Sequence, residues 1–296
     1  MKRLLWPVLI VIVLGLAVFG LLTSPAFLDE TSFLEQTGNA DRGKTVFDAS
    51  GCASCHAAEN ADEESHLILT GGKRFDSPFG TFIAPNLSSD VEMGIGGWTD
   101  YEIANAVING VGPQKQHYFP AFPYATYNKM TLADLADLVS YLRELPASDV
   151  KNQPHEVSFP FNIRRNLGGW KFLFASDDWV MQGDLSDELI RGRYLVEALG
   201  HCGECHTPRN ALGGMKRGKW LGGAAHPSGK GRIPNITPAA LEWAKGDIVE
   251  YLTSGFTPEF DTAGGEMVEV VENMARLSQS DREAIAAYLL ALPSVE

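Results

Sequence analysis

Two stretches decide how this chain is read: Cys52-Ala53-Ser54-Cys55-His56 and, later, Cys202-Gly203-Glu204-Cys205-His206. A C-x-x-C-H run is the attachment pattern of a c-type haem. On a helical turn, cysteines three apart share a face, so each can form a thioether with a haem vinyl group. The histidine, four on from the first cysteine, stays on that face and can bind the iron axially. One such run is also compatible with a zinc ligand pair or a redox dithiol. Two runs that use all four cysteines of the chain point instead to two covalent haems. They leave no thiol for a disulfide or a catalytic thiolate.

At 296 residues there is room for two domains of ordinary size, each organised around one motif. A hydrophobic content of 45% and a charged content of 21% suit a globular chain. The balance of 37 acidic against 24 basic residues argues against nucleic acid and allows an acidic surface to steer a basic protein partner. Haem attachment implies export to the periplasm or an equivalent compartment. The N-terminus agrees, with Lys2 and Arg3 ahead of an apolar run from Leu4 to Leu22 that is broken by Pro7 and two glycines. Its length matches the roughly 17–25 residues of a spanning helix better than the about 7–15 of a signal-peptide core. We therefore expect residues 1–24 to form an uncleaved transmembrane anchor with its basic end in the cytoplasm, which puts the chain on the periplasmic side of a bacterial inner membrane. Cleavage after Ser24-Pro25-Ala26, giving a soluble periplasmic protein, is the alternative.

The rest divides into a polar tether over 25–40, a first domain over 41–149, an aromatic-rich segment over 150–187 and a second domain over 188–296. The two domains read as an internal repeat. Arg42-Gly43-Lys44 and Arg191-Gly192-Arg193 open them, and each glycine suits a helix that crosses another closely. Pro85-Asn86-Leu87-Ser88 answers Pro234-Asn235-Ile236-Thr237, and Tyr141 to Pro146 answers Tyr288 to Pro293. Leu132, Leu135, Leu138, Val139 and Leu142 recur at helical spacing up to Pro146, and Ser278 to Leu292 repeats the pattern with Ser278 as a cap. Gly71 to Asn86 is expected to be a loop at a haem edge, and no sustained strand pattern is present. Phe159-Pro160-Phe161 and Trp170 to Phe174 are too apolar for a free linker, so they are expected to pack between the domains.

Taken together, the two C-x-x-C-H motifs, Cys205-His206-Thr207-Pro208-Arg209-Asn210, the Pro-Asn runs and Gly264-Gly265-Glu266-Met267 resemble the diheme cytochromes c that accept electrons from periplasmic alcohol, aldehyde or sugar dehydrogenases. The resemblance implies a mainly α fold with two tandem class I cytochrome c domains, each iron held by His on one side and Met on the other. His56 and His206 are then the proximal ligands. Met267 holds the family's distal position in the second domain, with Met274 as its rival. The first domain departs from the family pattern, since Phe119-Pro120-Ala121-Phe122-Pro123-Tyr124 places Phe122 where a methionine is usual. Met130, His117 or an open site remain for that iron, and Met130 is preferred. Lys73, Arg74 and Arg209 are candidate partners for haem propionates. The carbonyl of Pro208, or a nearby backbone oxygen, is a candidate acceptor for the proximal imidazole.

The implied function is electron transfer from a periplasmic dehydrogenase to a cytochrome or terminal oxidase, without catalysis by the chain itself. A diheme peroxidase stays open because of Phe122. A thiosulfate-oxidising enzyme of the type that uses a cysteine ligand has no fifth cysteine here. A docking subunit that tethers a dehydrogenase is the third class.

Overall fold

A computed structural model describes the chain apart from Met1, Asn60, Glu63, Glu64, Ser228 and Lys230 and, within the first helix, the side chains of residues 2–5. After α1 (Lys2–Leu22) and α2 (Glu30–Leu34) comes a first series of helices: α3 (Ala40–Ala49), α4 (Cys52–His56), α5 (Asp100–Asn109), α6 (Tyr124–Tyr127) and α7 (Leu132–Glu144). α8 (Asn166–Phe174) leads to a second series in the same order. This is α9 (Asp187–Tyr194), running into a π-helical turn at Leu195–Leu199, then α10 (Cys202–His206), α11 (Lys245–Ser254), α12 (Met267–Ala275) and α13 (Gln279–Ala291).

Each series is held by one close helix crossing. A Cβ on Gly43 would stand 2.0 Å from the Asp137 carbonyl oxygen, and one on Gly192 would stand 2.1 Å from that of Ala284. The absence of a side chain lets α3 lie against α7, and α9 against α13, backbone to backbone. Phe47, Leu135 and Val139 fill the first crossing; Leu195, Val196, Ala286 and Tyr288 fill the second. The apolar core runs on from one series into the other. The helix ends follow the local sequence. Thr131 caps α7 by accepting from the Asp134 N–H at 3.1 Å, and Ser278 caps α13 in the same way through Asp281 at 3.1 Å. Pro146 and Pro293 follow their C-termini.

Three expectations need correction. Gly71 to Asn86 is not all loop: β1 (Arg74–Ser77) and β2 (Gly80–Ile83) form an antiparallel hairpin there, and β3 (Glu156–Val157) joins β2. A second small pair, β4 (Ala224–Ala225) and β5 (Arg232–Ile233), lies in the other half. Strands of two to four residues are too short to show an alternating pattern. Residues 25–40 do not hang free, because Phe33 on α2 is buried and the Leu28 N–H donates to Asn105 Oδ1 at 2.8 Å. The aromatic segment is split in its behaviour. Trp170 packs edge-on to Tyr124 and donates to the Leu212 carbonyl, whereas Phe159, Phe161, Phe172 and Leu173 are exposed.

The expected membrane anchor coincides with α1. Its basic flank, Lys2 and Arg3, and the side chains of Leu4 and Leu5 lie outside the described residues. No helix of the described residues is long and apolar enough to cross a membrane.

The crossings predict a contrast between two glycines. Gly192→Ala should destabilise the protein by about 1–3 kcal/mol through overpacking. Gly246→Ala, on α11 with nothing within 4 Å of the new methyl, should be neutral or should stabilise by about 0.4–1 kcal/mol. Denaturant unfolding followed at the α-helical dichroism band distinguishes the two. Equal effects would show that the α9–α13 contact has room to spare.

Candidate haem-attachment sites

The two motifs form the single-turn helices α4 and α10, and each is preceded by a residue in the left-handed region, Gly51 at φ 59° and His201 at φ 41°. That reversal lets the chain leave a long helix and start a short one within a residue or two. Glycine adopts it at no steric cost, but histidine does so rarely. His201 is held in place by its ring, which donates from Nε2 to the Ser50 carbonyl at 3.2 Å and stacks edge-on to Tyr127 at 5.7 Å. Burial lowers its pKa, so the ring is neutral. The residue just before the second motif is thereby fastened to Ser50, two residues ahead of the first.

The proximal histidines share one geometry. His56 Nδ1 lies 2.8 Å from the Pro85 carbonyl oxygen, and His206 Nδ1 lies 2.8 Å from that of Pro234. A carbonyl can only accept, so Nδ1 carries the proton and Nε2 keeps its lone pair, the tautomer an iron ligand needs. Both rings are buried. Burial brings the His56 pKa down to about 4 and lowers that of His206, with the proline carbonyl opposing the shift in each case. Both are therefore neutral at pH 7.

The carbonyls are themselves fixed. Asn86 donates from Nδ2 to the Ser148 and Val150 carbonyls at 2.8 and 2.9 Å and accepts the Ser88 N–H at 2.8 Å. Asn235 does the same towards the Val295 carbonyl at 2.7 Å and the Thr237 N–H at 2.8 Å. The role of the Pro-Asn pairs was not read from the sequence, although their repetition in both halves was the available signal. Pro208 is corrected by the same observation. Its carbonyl accepts from the Lys216 N–H at 2.8 Å, in the turn that leaves α10, and the oxygen beside His206 belongs to Pro234.

Burial pushes the thiols up, to about 12 at Cys52, about 11 at Cys55 and about 12 at Cys202. Sulfur held neutral suits a thioether and suits a thiolate metal site poorly. Among the described residues no three His, Cys, Asp or Glu side chains gather into a metal-ion site. The donor set at each motif, two thiols and one pre-oriented imidazole, fits a covalent haem.

The distal candidates fall into register through two matching bridges, Val111 with His117 and Phe256 with Thr262. Counted on from these, Phe122 and Met267 occupy equivalent places. The helix caps Thr131 and Ser278 make Met130 the equivalent of Leu277, and both are buried in the core. Met274 is also buried core, whereas Met267 is half-buried at the start of α12. Met130 lies close in sequence to Tyr127, whose hydroxyl donates to the Ser50 carbonyl at 2.9 Å, beside the first motif. His117 is not an exposed loop residue. It is buried, and its Nε2 donates to the Thr23 carbonyl at 3.0 Å, at the end of α1.

The cations expected near propionates all have protein partners. Lys73 Nζ meets the Ser54 carbonyl at 2.8 Å and the Glu269 carboxylate at 2.8 and 3.0 Å. Arg74 pairs with Glu156 at 2.6 Å, and Arg209 pairs with the Glu204 carboxylate. Two of these contacts belong to a reciprocal clamp unseen in the sequence. Ser54 in the first motif accepts from Asn273 on α12 at 2.7 Å, while Glu204 in the second accepts from Thr126 on α6 at 2.6 Å. Each motif thus touches the helix that carries, or follows, the other half's distal segment.

Residues 40–146 match the cytochrome c family model. A diheme cytochrome c-type protein of Cereibacter sphaeroides is 52% identical over 275 residues, covering 93% of this chain and 93% of that protein. This chain belongs to the diheme c-type cytochromes. It binds two haem c groups covalently, and its four cysteines are the thiols available to hold them. The cytochrome is also 34% identical to the fructose dehydrogenase cytochrome subunit of Gluconobacter japonicus, over 86% of this chain and 52% of that subunit. It is 30% identical to the cytochrome c subunit of alcohol dehydrogenase (quinone) of Gluconobacter oxydans, over 86% of this chain and 55% of that subunit. The cytochrome spans about half the length of these two relatives.

If Asn86 fixes the Pro85 carbonyl, Asn86→Ala should cost about 0.5–1.5 kcal/mol, because two partly buried carbonyls lose a hydrogen bond. It should also shift the Fe–His stretching band of one ferrous haem and leave the other in place, as read by resonance Raman spectroscopy. An unmoved band at unchanged stability would mean that the proline carbonyl is held by its backbone alone.

Proposed function

We propose that this cytochrome carries electrons from a periplasmic dehydrogenase to a respiratory acceptor, a second cytochrome or a terminal oxidase, and does no bond chemistry of its own. One observation carries the reading: both proximal imidazoles are buried in the same carbonyl-fixed geometry, and the two motifs abut through His201 and Ser50. The cytochrome subunits of fructose and alcohol dehydrogenases among its relatives support a dehydrogenase as donor. Haem supplies a one-electron couple. The chain supplies a dry site, a fixed imidazole and a short span between motifs. In this reading Cys52, Cys55, Cys202 and Cys205 form the thioethers, His56 and His206 bind the irons, and residues 41–149 and 188–296 are the two domains joined by 150–187. Met267 is the sixth ligand of the second iron and Met130 that of the first.

Residues 1–24 are proposed as the anchor that holds the cytochrome to the periplasmic face. From Trp6 to Leu22 the apolar side chains of α1 stand exposed on every side. A helix apolar all round is at home in a core or in lipid, and the described residues leave this one exposed along most of its length. The second reading rests on Phe122. With Phe at the place Met267 holds in the other half, the first iron is open unless Met130 or His117 reaches it, and an open iron admits peroxide chemistry.

Met267→Leu and Met130→Leu separate these readings, since Leu and Met are close in volume and the packing cost stays below about 1.5 kcal/mol. Each should open one iron of two to carbon monoxide and lower that haem's potential, seen as a half-amplitude Soret change in a redox titration. If the wild type already binds carbon monoxide and turns over peroxide, the first site is open and the shuttle reading falls. The shuttle also predicts a salt effect. Reduction by a basic dehydrogenase should slow as salt rises, because a net charge of −13 attracts it at low ionic strength and exposed charges are screened within about 8–10 Å at 0.1–0.15 M.

A further inference from the structure

The end of α1 is clamped to the body. Arg165 donates from Nε to Thr23 Oγ1 at 2.8 Å and from Nη2 to the Gly20 carbonyl. His117 donates to the Thr23 carbonyl at 3.0 Å, and Gly168 lies so close that a Cβ there would meet that oxygen at 2.4 Å. The first turn of α8 therefore sits against the exit of α1.

From that point α8 is amphipathic in an unusual sense. Its cation turns inward: Lys171 Nζ donates to the Asn109 and Gly110 carbonyls at 2.5 and 2.8 Å and lies over the Tyr124 ring at 4.4 Å. Its large apolar residues turn outward, with Phe172 67% and Leu173 62% exposed. The preceding turn adds Phe159 at 77% exposure, and Leu212, to which Trp170 donates at 2.9 Å, extends the same face. A contiguous apolar surface of this kind, uncovered by protein, marks an interaction site.

We propose that α8 and the turn at residues 159–163 are a membrane seat, lying in the interfacial layer of the bilayer that α1 enters. The inference rests on the anchor reading above. Adjacency selects lipid as the occupant: the buried Thr23–Gly168 contact sets the exposed apolar residues of α8 next to the end of the exposed apolar α1, with Arg165 exposed at the junction. Aromatic rings and arginine beside a helix exit are what the headgroup layer accommodates. Because the clamp is rigid, the seat gives the two haem sites a fixed orientation above the membrane.

The test uses the full-length holoprotein, in which the native cysteines are tied up as thioethers, so that Phe172→Cys and Phe159→Cys each carry one free thiol. Phe260→Cys, at a site 97% exposed in the second half, is the reference. Haem content and absorption spectra identical to wild type establish that each variant is folded. Each is placed in nanodiscs of phosphatidylcholine and phosphatidylglycerol with no other protein, and its reaction with a charged, water-soluble maleimide is timed. Both seat positions should react about tenfold more slowly than the reference, since a thiol in the acyl boundary forms less thiolate, tenfold per pKa unit. Equal rates in discs that retain the protein overturn the seat and leave the anchor standing. Failure to enter discs overturns both. Equal rates in discs but slow reaction in native membranes assign the face to a protein partner, which also overturns the proposal.

Discussion

An imidazole can serve iron through one nitrogen only while the other is satisfied elsewhere, and in this molecule that condition reaches through much of the fold. The acceptor for His56 is the Pro85 carbonyl at 2.8 Å, and Pro85 is placed by Asn86, which hangs from the Ser148 and Val150 carbonyls. Those carbonyls lie just past α7, whose position is set by its crossing with α3 at Gly43. The second half repeats the chain of dependence: Gly192 seats α13, Val295 beyond its end holds Asn235, and Pro234 orients His206. A helix crossing at one glycine is thus linked, contact by contact, to the direction in which each imidazole lone pair points. The two halves share this chain of contacts link by link while other features differ between them.

The differences are concentrated where the halves meet. The left-handed residue before each motif is Gly51 in one case and His201 in the other, and the histidine stays because its ring bridges to Ser50. The second position after the first cysteine is Ser54 in one motif and Glu204 in the other, each bonded across the interface to Asn273 or Thr126. Lys73 stands beside the first motif and is balanced by Glu269 from α12, whereas the second motif carries its own carboxylate, neutralised by Arg209. Equivalent backbones therefore hold ion pairs of opposite arrangement, with the cation nearest the first motif and the carboxylate within the second. A pair of identical sites would give no direction to an electron; unequal ones do.

Features written in single residues or in period were legible from the sequence. The C-x-x-C-H runs, the crossings at Gly43 and Gly192, the cap at Ser278 and the helix stops at Pro146 and Pro293 each follow from one local rule. Features that depend on a distant partner were not legible. Nothing near His206 says that its acceptor is Pro234 rather than Pro208, because the choice is made by the loop between them. Lys73 looked free for a propionate because Glu269 lies in the other half. The β1–β2 hairpin was too short to show its period, and Phe33 alone could not reveal that residues 25–40 pack down. His117 is the instructive case. Its place near the distal segment made it a candidate ligand, and the structure ties its Nε2 to the Thr23 carbonyl while Nδ1 is buried without a partner.

That use of His117 joins the two ends of the molecule's logic. The strand of chain leading to the distal segment of the first site also grips the last turn of α1, through His117 on one side and Arg165 and Gly168 on the other. A buried hydrogen bond between a neutral imidazole and a helix-terminal carbonyl satisfies an acceptor that the helix itself leaves open. It also removes the slack that a flexible linker would have given. A flexible tether would leave the haem site free to take many orientations; here the distal segment, the end of α1 and α8 are joined by direct contacts. If α1 is the anchor proposed above, docking depends on a single presented face, and a partner in the same membrane would meet the haem sites at a set height and angle.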